Sequence, residues 1–414
     1  MKNIHRRHVL TSIGVGGTLA GGYILCRGAS NASFSDWDPM LDTWPLQRYD
    51  TSNTAYNPHA NPPRSKPTKQ KLADISSDGQ SNLKTPLISS NHIAVFGPSL
   101  TILSRDDNSV VYKDNRESPA AGFGPTRDAH LYFARSNRQP GNNGLDIVDL
   151  KIEDGRIEQS SQSFDVGPIS GLIVGANELY FGTPSREING VSHGDSRVWR
   201  VDGKMPAVSS NQMYAVGAPN GVVSYQKQFG ISRWVEVGPK RQWTGDWLEG
   251  QVHRPAVGNN QLLVGTRHVG VEPGRGTITA YNIDDGSQQW QQQFSGIDAS
   301  TPAISGSHGF TTIGKEGSSN NEVIALELRK GNKIWEDTVD WKLSSSPVVG
   351  GDTFLVTGLA LDNGIVSSKM VRAYDITSGE KLWTVSFDGG NPSSVAVAGN
   401  EIFVTADSSL YSIS

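Results

Sequence analysis

The side chains that could take part in chemistry are few and scattered. The chain has 9 His and a single cysteine, Cys26, which excludes an internal disulfide framework and a cysteine-based metal site. It contains no Gly-x-Ser-x-Gly nucleophile turn and no His-Glu-x-x-His zinc motif. The best candidate group is cationic and consists of His253, Arg254, Arg267, His268 and Arg275. Because Arg presents a two-pronged fork to carboxylates, this group could bind an acidic peptide or a carboxylated glycan. Ordinary surface charge is the competing interpretation.

Three aspartates of the repeats, Asp284, Asp285 and Asp375, could be interpreted as calcium ligands. They stand in turn-like sequences, where Asp is favoured because its side chain bonds to its own backbone. The dense Asp-x-Asp-x-Asp-Gly spacing of a calcium loop is missing. We therefore expect neither a metal ion nor a cofactor.

Whatever these residues do, a repeated eleven-residue element must position them. It occurs as Ala280–Trp290, Ala325–Trp335 and Ala373–Trp383, at spacings of 45 and 48 residues. Every copy has Ala first, Ile or Leu fourth, Gly seventh and Trp eleventh. Such a period indicates stacked repeats that bury one another's apolar faces.

Each copy is typical of a β-hairpin. The turn glycines supply a positive φ without steric cost, and the tryptophans are expected to pack between neighbouring units. The glycines are Gly286, Gly331 and Gly379, and the tryptophans are Trp290, Trp335, Trp383 and, in a blurred fourth copy, Trp243.

A proline follows three of these tryptophans at a distance of twelve residues and opens the next unit. Each unit then reads as four strands, A to D, with A after the proline and the tryptophan on D. Four prolines open clear units and three open weaker ones. The clear ones are Pro255, Pro302, Pro347 and Pro392, and the weaker ones are Pro86, Pro125 and Pro168.

Between residues 168 and 255 there is room for two units, so the sequence predicts an all-β propeller of eight four-stranded antiparallel blades. One register stays open: Lys204 to Ser209 is either strand A of a blade or strand D of the preceding one. The last blade lacks its own strand D. We expect residues 69–76 to pair with it and to close the ring, which removes an exposed edge.

The N-terminus has the features of an export signal. Arg6 and Arg7 precede an uncharged, Gly-rich stretch, as in twin-arginine signals. We expect residues 1–32 to direct export to the periplasm, cell surface or medium. An uncleaved membrane anchor and lipidation at Cys26 are the alternatives. Residues 33–67 are interpreted as a polar linker and residues 68–414 as a single propeller domain. The net charge of −4 gives no reason to expect nucleic-acid binding, and we expect a monomer.

A motif within residues 44–56, Trp-Pro-x-x-Arg-Tyr-Asp-x-x-Asn-Thr-x-Tyr, precedes the repeats. Together they resemble the PQQ-binding-like β-propeller repeat family, in its exported, haloarchaeal-type form. The propeller lipoprotein of the outer-membrane assembly machine and the quinoprotein dehydrogenases are more distantly similar. The resemblance covers residues 44–414 and is most specific in residues 254–411. It also implies the ring closure by an N-terminal strand.

The resemblance leaves three functions open. A non-catalytic scaffold that binds a protein or polymer partner is favoured; a PQQ-dependent oxidoreductase and a glycan-binding propeller are the alternatives. In quinoprotein dehydrogenases a vicinal Cys pair typically stacks on the cofactor, and this chain has no Cys after Cys26.

Loop lengths indicate which end of the disk would bind. The A–B and C–D turns are short, whereas longer insertions fall between strands B and C. The insertions are residues 136–144, 183–196, 267–276, 315–321 and 359–368. In an up-and-down blade the B–C loops share a face with the D–A connectors, and elaborated loops on a rigid scaffold often carry binding residues.

Overall fold

The computed structural model describes the propeller and the segment that precedes it. The described residues are 34, 36–75, 83–125, 130–139, 142–153, 155–167, 169, 171–183, 185–193, 198–217, 220–227, 239–268, 275–315, 321–362, 365–387, 392–406 and 408–414. The export segment, with Arg6, Arg7 and Cys26, lies outside them. Within these ranges the chain forms strands and turns, and no helix long and apolar enough to cross a bilayer occurs there.

The strands group into antiparallel blades, which we number along the chain and whose strands A to D run from the axis outward. Blade 1 comprises Leu87–Ile88, His92–Phe96, Leu100–Ser104 and Val110–Asp114. Blade 2 comprises Ala120–Phe123, His130–Gln139, Asn142–Glu153 and Arg156–Phe164. Blade 3 comprises Gly171–Val174, Glu178–Gly182, Glu187–Ser192 and Val198–Asp202. Blade 4 comprises Lys204–Ser209, Gln212–Val216, Val222–Gln226 and Lys240–Thr244.

The second half repeats the same plan. Blade 5 comprises Ala256–Gly258, Gln261–Arg267, Thr277–Asn282 and Gln288–Gln293. Blade 6 comprises Ala303–Ser305, His308–Gly314, Asn321–Glu327 and Lys333–Val339. Blade 7 comprises Val348–Gly350, Thr353–Asp362, Ile365–Asp375 and Lys381–Phe387. Blade 8 comprises Ala396–Ala398, Glu401–Ala406, Ser409–Ile413 and, from the N-terminal part, Lys69–Asp74.

Short strands outside the blades join neighbours. Gln251–Val252, Asp298–Ala299 and Trp341–Leu343 lie in D–A connectors and pair with the next strand B. Tyr56–Asn57 runs parallel to strand A of blade 7.

The ring is closed, and the fold class predicted from the repeats is confirmed. Each innermost strand contacts that of the next blade, and blade 8 contacts blade 1 in the same way. The described strands account for eight blades, consistent with the prediction. Closure uses the predicted N-terminal strand: Lys69 pairs with Ile413 and Asp74 with Ser409.

Two assignments made from the sequence need comment. Lys204–Ser209 pairs with Gln212–Val216 as strand A of blade 4, which settles the open register. Pro125 does not open a blade, because strand A of blade 2 comes before it, at Ala120–Phe123. These four residues are buried and small or apolar, which suits the crowded axis. Pro168 lies outside the described residues.

The repeat residues join each blade to the next. The indole Nε1 of Trp243, Trp290 and Trp335 donates to the carbonyl oxygens of Ile283, Leu328 and Ile376, at 2.9, 2.8 and 2.9 Å. Each of these carbonyls lies three residues before the turn glycine. The rings cover Gly286, Gly331 and Gly379, where an added Cβ would lie 2.5, 2.5 and 2.6 Å from an indole carbon.

Trp383 has a different partner, because blade 8 takes strand D from elsewhere. Its Nε1 donates to the carbonyl of Pro63 at 2.7 Å. The N-terminal segment therefore replaces the missing hairpin in this contact as well as in the sheet.

Residues 36–63, part of the segment interpreted as a polar linker, are instead built into the disk. We call residues 37–57 the axial segment, because they hydrogen-bond to the innermost strand of every blade. The contacts are Trp44 with Ile88, Pro45 with Phe123, Trp37 with Val174, Thr51 with Val208, Ser52 with Val257, Thr54 with Ile304, Ala55 with Val349 and Asn57 with Val397. The polar composition of this segment predicted that it would be exposed to solvent. It can be buried because its polar groups bond to backbone groups that are far away in the sequence.

Candidate partner-binding face

The disk has two unlike ends. We call the end that carries the D–A connectors and the B–C connections the long-loop face, and the other end the short-turn face. One C–D connection differs from the predicted short turn: residues 227–239 separate strands C and D of blade 4, and most of them lie outside the described residues. The axial segment contacts strands A next to their A–B turns; for example, Val257 and Val349 precede those turns. The axis is therefore covered from the short-turn face.

Two of the predicted B–C insertions are ribbons rather than loops. In blade 2, strands B and C stay paired from His130 and Lys151 up to Gln139 and Asn142. In blade 7 they stay paired up to Asp362 and Ile365. The long-loop face therefore carries two paired ribbons that continue the B and C strands of their blades.

A third insertion, residues 183–196, was predicted wrongly. Residues 187–192 are strand C of blade 3, and the B–C connection is a turn in which Arg186 N donates to Thr183 O at 3.1 Å. Its two large apolar residues, Ile188 and Val191, are three positions apart, so the sequence lacks the period-2 alternation that marks a strand. The other two insertions, residues 267–276 and 315–321, lie partly outside the described residues.

Of the predicted cationic group, two members converge on one carboxylate. His253 Nε2 lies 2.7 Å from Asp298 Oδ1, and Arg267 Nε lies 3.8 Å from Asp298 Oδ2. The side chain of His253 is 25% exposed and that of Asp298 31%, whereas Arg267 is exposed at 46%. Part of the positive charge expected for an anionic ligand is thus matched within the protein.

The remaining members of the group point elsewhere. His268 is buried, and its backbone N–H donates to Ile297 O at 2.8 Å. Arg275 is exposed and donates to Gln293 Oε1 at 3.1 Å, at the outer rim of blade 5. Arg254 turns inward, so that a Cβ added to Gly171 of blade 3 would lie 2.5 Å from its Nη2. The five residues do not form one continuous patch.

The side chains of Arg254 and of Arg48, which belongs to the axial segment, both lie near the propeller axis. Arg48 donates to the carbonyl oxygens of Pro302 and Pro347. Burial, followed by the charge of Arg254, lowers the pKa of Arg48 to about 9. Burial lowers the pKa of Arg254 to about 10. Both side chains remain charged at neutral pH.

Asp50 is the carboxylate nearest in sequence to Arg48, and it caps the turn of the axial segment. It accepts from Thr54 N at 2.9 Å and from Thr54 Oγ1 at 2.6 Å. Burial raises the pKa of Asp50 to about 6, although the bonds from Thr54 and the charge of Arg48 act in the opposite direction. The axial segment therefore contains a buried carboxylate whose pKa lies above the usual range of an aspartate.

A second set of titratable groups lies between blades 2 and 3. His130 Nδ1 is 2.9 Å from Asp149 Oδ1, and Tyr132 stacks on His193 with ring centroids 4.8 Å apart. Burial lowers the pKa of His193. The described part of the chain contains no group of three or more His, Cys, Asp or Glu that could hold a metal ion.

The sequence reasoning passed over one residue on the long-loop face, Trp247. It stands in the D–A connector between blades 4 and 5, and it is 61% exposed. It falls outside the eleven-residue repeat, and that mismatch is the only signal in the sequence that could have singled it out.

Comparisons with known proteins concern the family and the fold. The family model of the outer membrane protein assembly factor BamB matches residues 146–302, 187–357 and 319–414. No curated protein matches the sequence of the chain.

Several solved propellers are similar in fold. BamB from Moraxella catarrhalis has 11% sequence identity and a TM-score of 0.58, over 84% of this chain and 99% of that one. Chaetomium thermophilum Sqt1, bound to the N-terminus of ribosomal protein L10, has 12% identity and a TM-score of 0.62, over 84% and 99%. The computationally designed Ika8 protein has 12% identity and a TM-score of 0.61, over 83% and 99%. Since the matched segments of the family model cover well over half of the chain, the protein belongs to the BamB family of PQQ-like β-propeller repeat proteins.

Proposed function

We propose that this protein is a non-catalytic scaffold that binds a protein partner outside the cytoplasmic membrane through its long-loop face. The observation that carries the proposal is the difference between the two ends of the disk. The axial segment covers the axis from the short-turn face, whereas the ribbons of blades 2 and 7 extend the other face. Binding residues often lie on such extensions of a β-scaffold.

The similar structures support a protein as the partner. Sqt1 was solved bound to the N-terminus of a ribosomal protein, and the matching family model describes an assembly factor. A carboxylated glycan has less support, because His253 and Arg267 already share Asp298. An ion pair formed within the protein must be broken or shared before it can serve a ligand.

The proposed location comes from the twin-arginine pair Arg6 and Arg7. Replacing both arginines by lysine should leave the protein in the cytoplasm, as measured by fractionation of the producing cells. Unchanged export of that variant would argue for another route.

The binding face can be tested with a photo-cross-linking amino acid on intact cells. It would replace the exposed Arg267 or Arg275 on the long-loop face, and Asn259 or Asn260 in an A–B turn as the matched control. We expect a discrete protein adduct from the first pair only, identified by mass spectrometry. Adducts from both faces alike, or from the A–B turn alone, would reject the proposed face.

A further inference from the structure

Trp247 is unusual among the tryptophans of this protein. The other described ones are buried or partly buried, and several hold a neighbouring blade through their indole N–H. Trp247 is 61% exposed, and no hydrogen bond or ring contact joins it to the described residues. The fold therefore gains little from an indole at this position.

The connector that carries Trp247 is held firmly on both sides. The side-chain amide of Asn220, in the B–C connection of blade 4, donates to the carbonyl oxygens of Leu248, at 2.7 Å, and Gly250. Leu248 N in turn donates to Asn220 O at 3.0 Å. On the blade 5 side, Gly250 has φ +89°, and a Cβ there would lie 2.5 Å from Arg267 O. Trp247 is thus presented by an ordered loop.

The charges beside Trp247 have one sign. Asp246 and Glu249 are both exposed, and the connector from Thr244 to Gln251 contains no Lys, Arg or His. The nearest basic residues along the chain are Arg241 and His253, six positions to either side of Trp247. Arg241 lies 3.4 Å from Asp202, and His253 and, across the connector, Arg267 lie beside Asp298. An indole face attracts cations through its quadrupole, and carboxylates bind guanidinium groups with charge-assisted hydrogen bonds.

We propose that Trp247, Asp246 and Glu249 form a recognition site for an Arg or Lys side chain in a flexible basic segment of the protein partner. The inference rests on the proposed function, since it specifies what the long-loop face recognises. The ligand proposed here is positively charged, whereas the cationic group in the sequence predicted a negatively charged ligand.

The test uses the full-length exported protein and two fluorescein-labelled peptides of about ten residues, one alternating Arg with Ser and the other Glu with Ser. Binding is followed by fluorescence anisotropy at low and at physiological salt, because exposed charge pairs are screened by salt. We expect the Arg peptide to bind and the Glu peptide not to bind. Trp247→Ala should weaken binding of the Arg peptide ~3- to 10-fold, with an unchanged Tm because the side chain is exposed.

Charge reversal separates the site from general electrostatics. Asp246→Lys combined with Glu249→Lys should abolish binding of the Arg peptide. The matched control combines Asp106→Lys and Asp284→Lys, two exposed residues in C–D turns of the short-turn face, and it should bind as the wild type does. No binding of the Arg peptide, equal binding to the Trp247→Ala variant, or equal loss in the control would overturn the proposal.

The outcomes also distinguish this site from the wider function. Cross-linked adducts from the long-loop face without Arg-peptide binding would remove the basic-segment site and leave the scaffold function. Arg-peptide binding that depends on Trp247, without any adduct from that face, would keep the site and remove the scaffold function.

Discussion

At the scale of single residues, the contact between Trp335 and Gly379 combines two constraints. Gly379 has φ +72°, which L side chains rarely adopt, and a Cβ would lie 2.6 Å from Trp335 Cδ2. Gly155 has nearly the same φ, +74°, but nothing lies within 4 Å of its Cβ position. Comparing alanine substitutions at Gly155 and Gly379 therefore separates the cost of backbone strain from the cost of disturbing the contact between blades.

We predict that Gly155→Ala lowers the free energy of unfolding by ~1–2 kcal/mol through backbone strain alone. Gly379→Ala should cost a further ~1–3 kcal/mol, because the extra methyl group pushes the indole out of its place. Urea denaturation followed by tryptophan fluorescence measures both. Equal losses for the two variants would show that the indole adjusts without cost.

Because Asp50 is buried, we predict that its contribution to the stability of the fold decreases as the pH rises, which is the opposite of the usual behaviour of an aspartate. Its pKa rises from 3.8 to about 6 on burial, so between those values the folded protein holds a proton that the unfolded chain has released. Protein stability from this group is therefore greatest below about pH 4 and is lost as the pH rises to about 6.

Asp50→Asn should remove this dependence. The difference in Tm between the variant and the wild type should shift in favour of the variant as the pH rises from 4 to 6. Asp375, beside Arg64 and Ser378, has its pKa lowered to about 2. Asp375→Asn is thus the opposite control, because the stability that Asp375 gives is present above about pH 4 and is lost only as the pH falls towards 2. A pH-independent difference for Asp50→Asn would contradict the assignment.

At the scale of elements, the sequence was most informative where the repeat is regular. Blades 5 to 7 are predicted almost strand by strand, since Gly286, Gly331 and Gly379 fix their C–D hairpins. Blade 8 is predicted from its A–B turn and from the need for a closing strand. Blade 2 was misjudged because Pro125 follows its strand A instead of preceding it. Strand C of blade 3 was taken for a loop, because Ile188 and Val191 do not follow the period-2 alternation of a strand.

The axial segment and the site around Trp247 could not be predicted. Arg48 and Asn53 look like surface residues in the sequence, yet their donors reach backbone carbonyls of blades 4 to 7. Contacts between residues 150 to 300 positions apart leave no local pattern. Trp247 is visible only as a tryptophan out of register with the repeat, and its exposure depends on how Asn220 holds the connector.

The strand that closes blade 8 gives a prediction at this scale. Deleting residues 33–78 removes both Lys69–Asp74 and the axial segment, so the edge of Ser409–Ile413 loses its partner. We expect an aggregating product, because unpaired edges recruit other chains. Light scattering and size-exclusion chromatography measure it, with a synthetic peptide of residues 34–75 added back as the control. A soluble monomer with an unchanged Tm would contradict the role of this strand.

At the scale of the whole molecule, a redox test distinguishes the scaffold from a quinone-dependent enzyme. On the axis, the Nη1 and Nη2 groups of Arg48 and the side-chain amide of Asn53 donate to backbone carbonyls, whereas Arg48 Nε has no hydrogen-bond partner among the described residues. We predict that dye reduction with simple alcohols or sugars, in the presence of PQQ and calcium, stays at the level without PQQ. A quinoprotein dehydrogenase assayed alongside shows that the reagents work. Dye reduction that depends on added PQQ would favour the enzyme.

The position of the closing strand also affects the order of folding during synthesis. Thr68 bonds to Ser414, 346 residues further along the chain, and the axial segment needs the innermost strands of all eight blades. At ribosomal rates of ~5–20 residues per second, the early segment waits roughly 20–70 s for its last partner. Until then, Trp44, Tyr49 and the open edges of the finished blades stay within reach of chaperones and of other nascent chains.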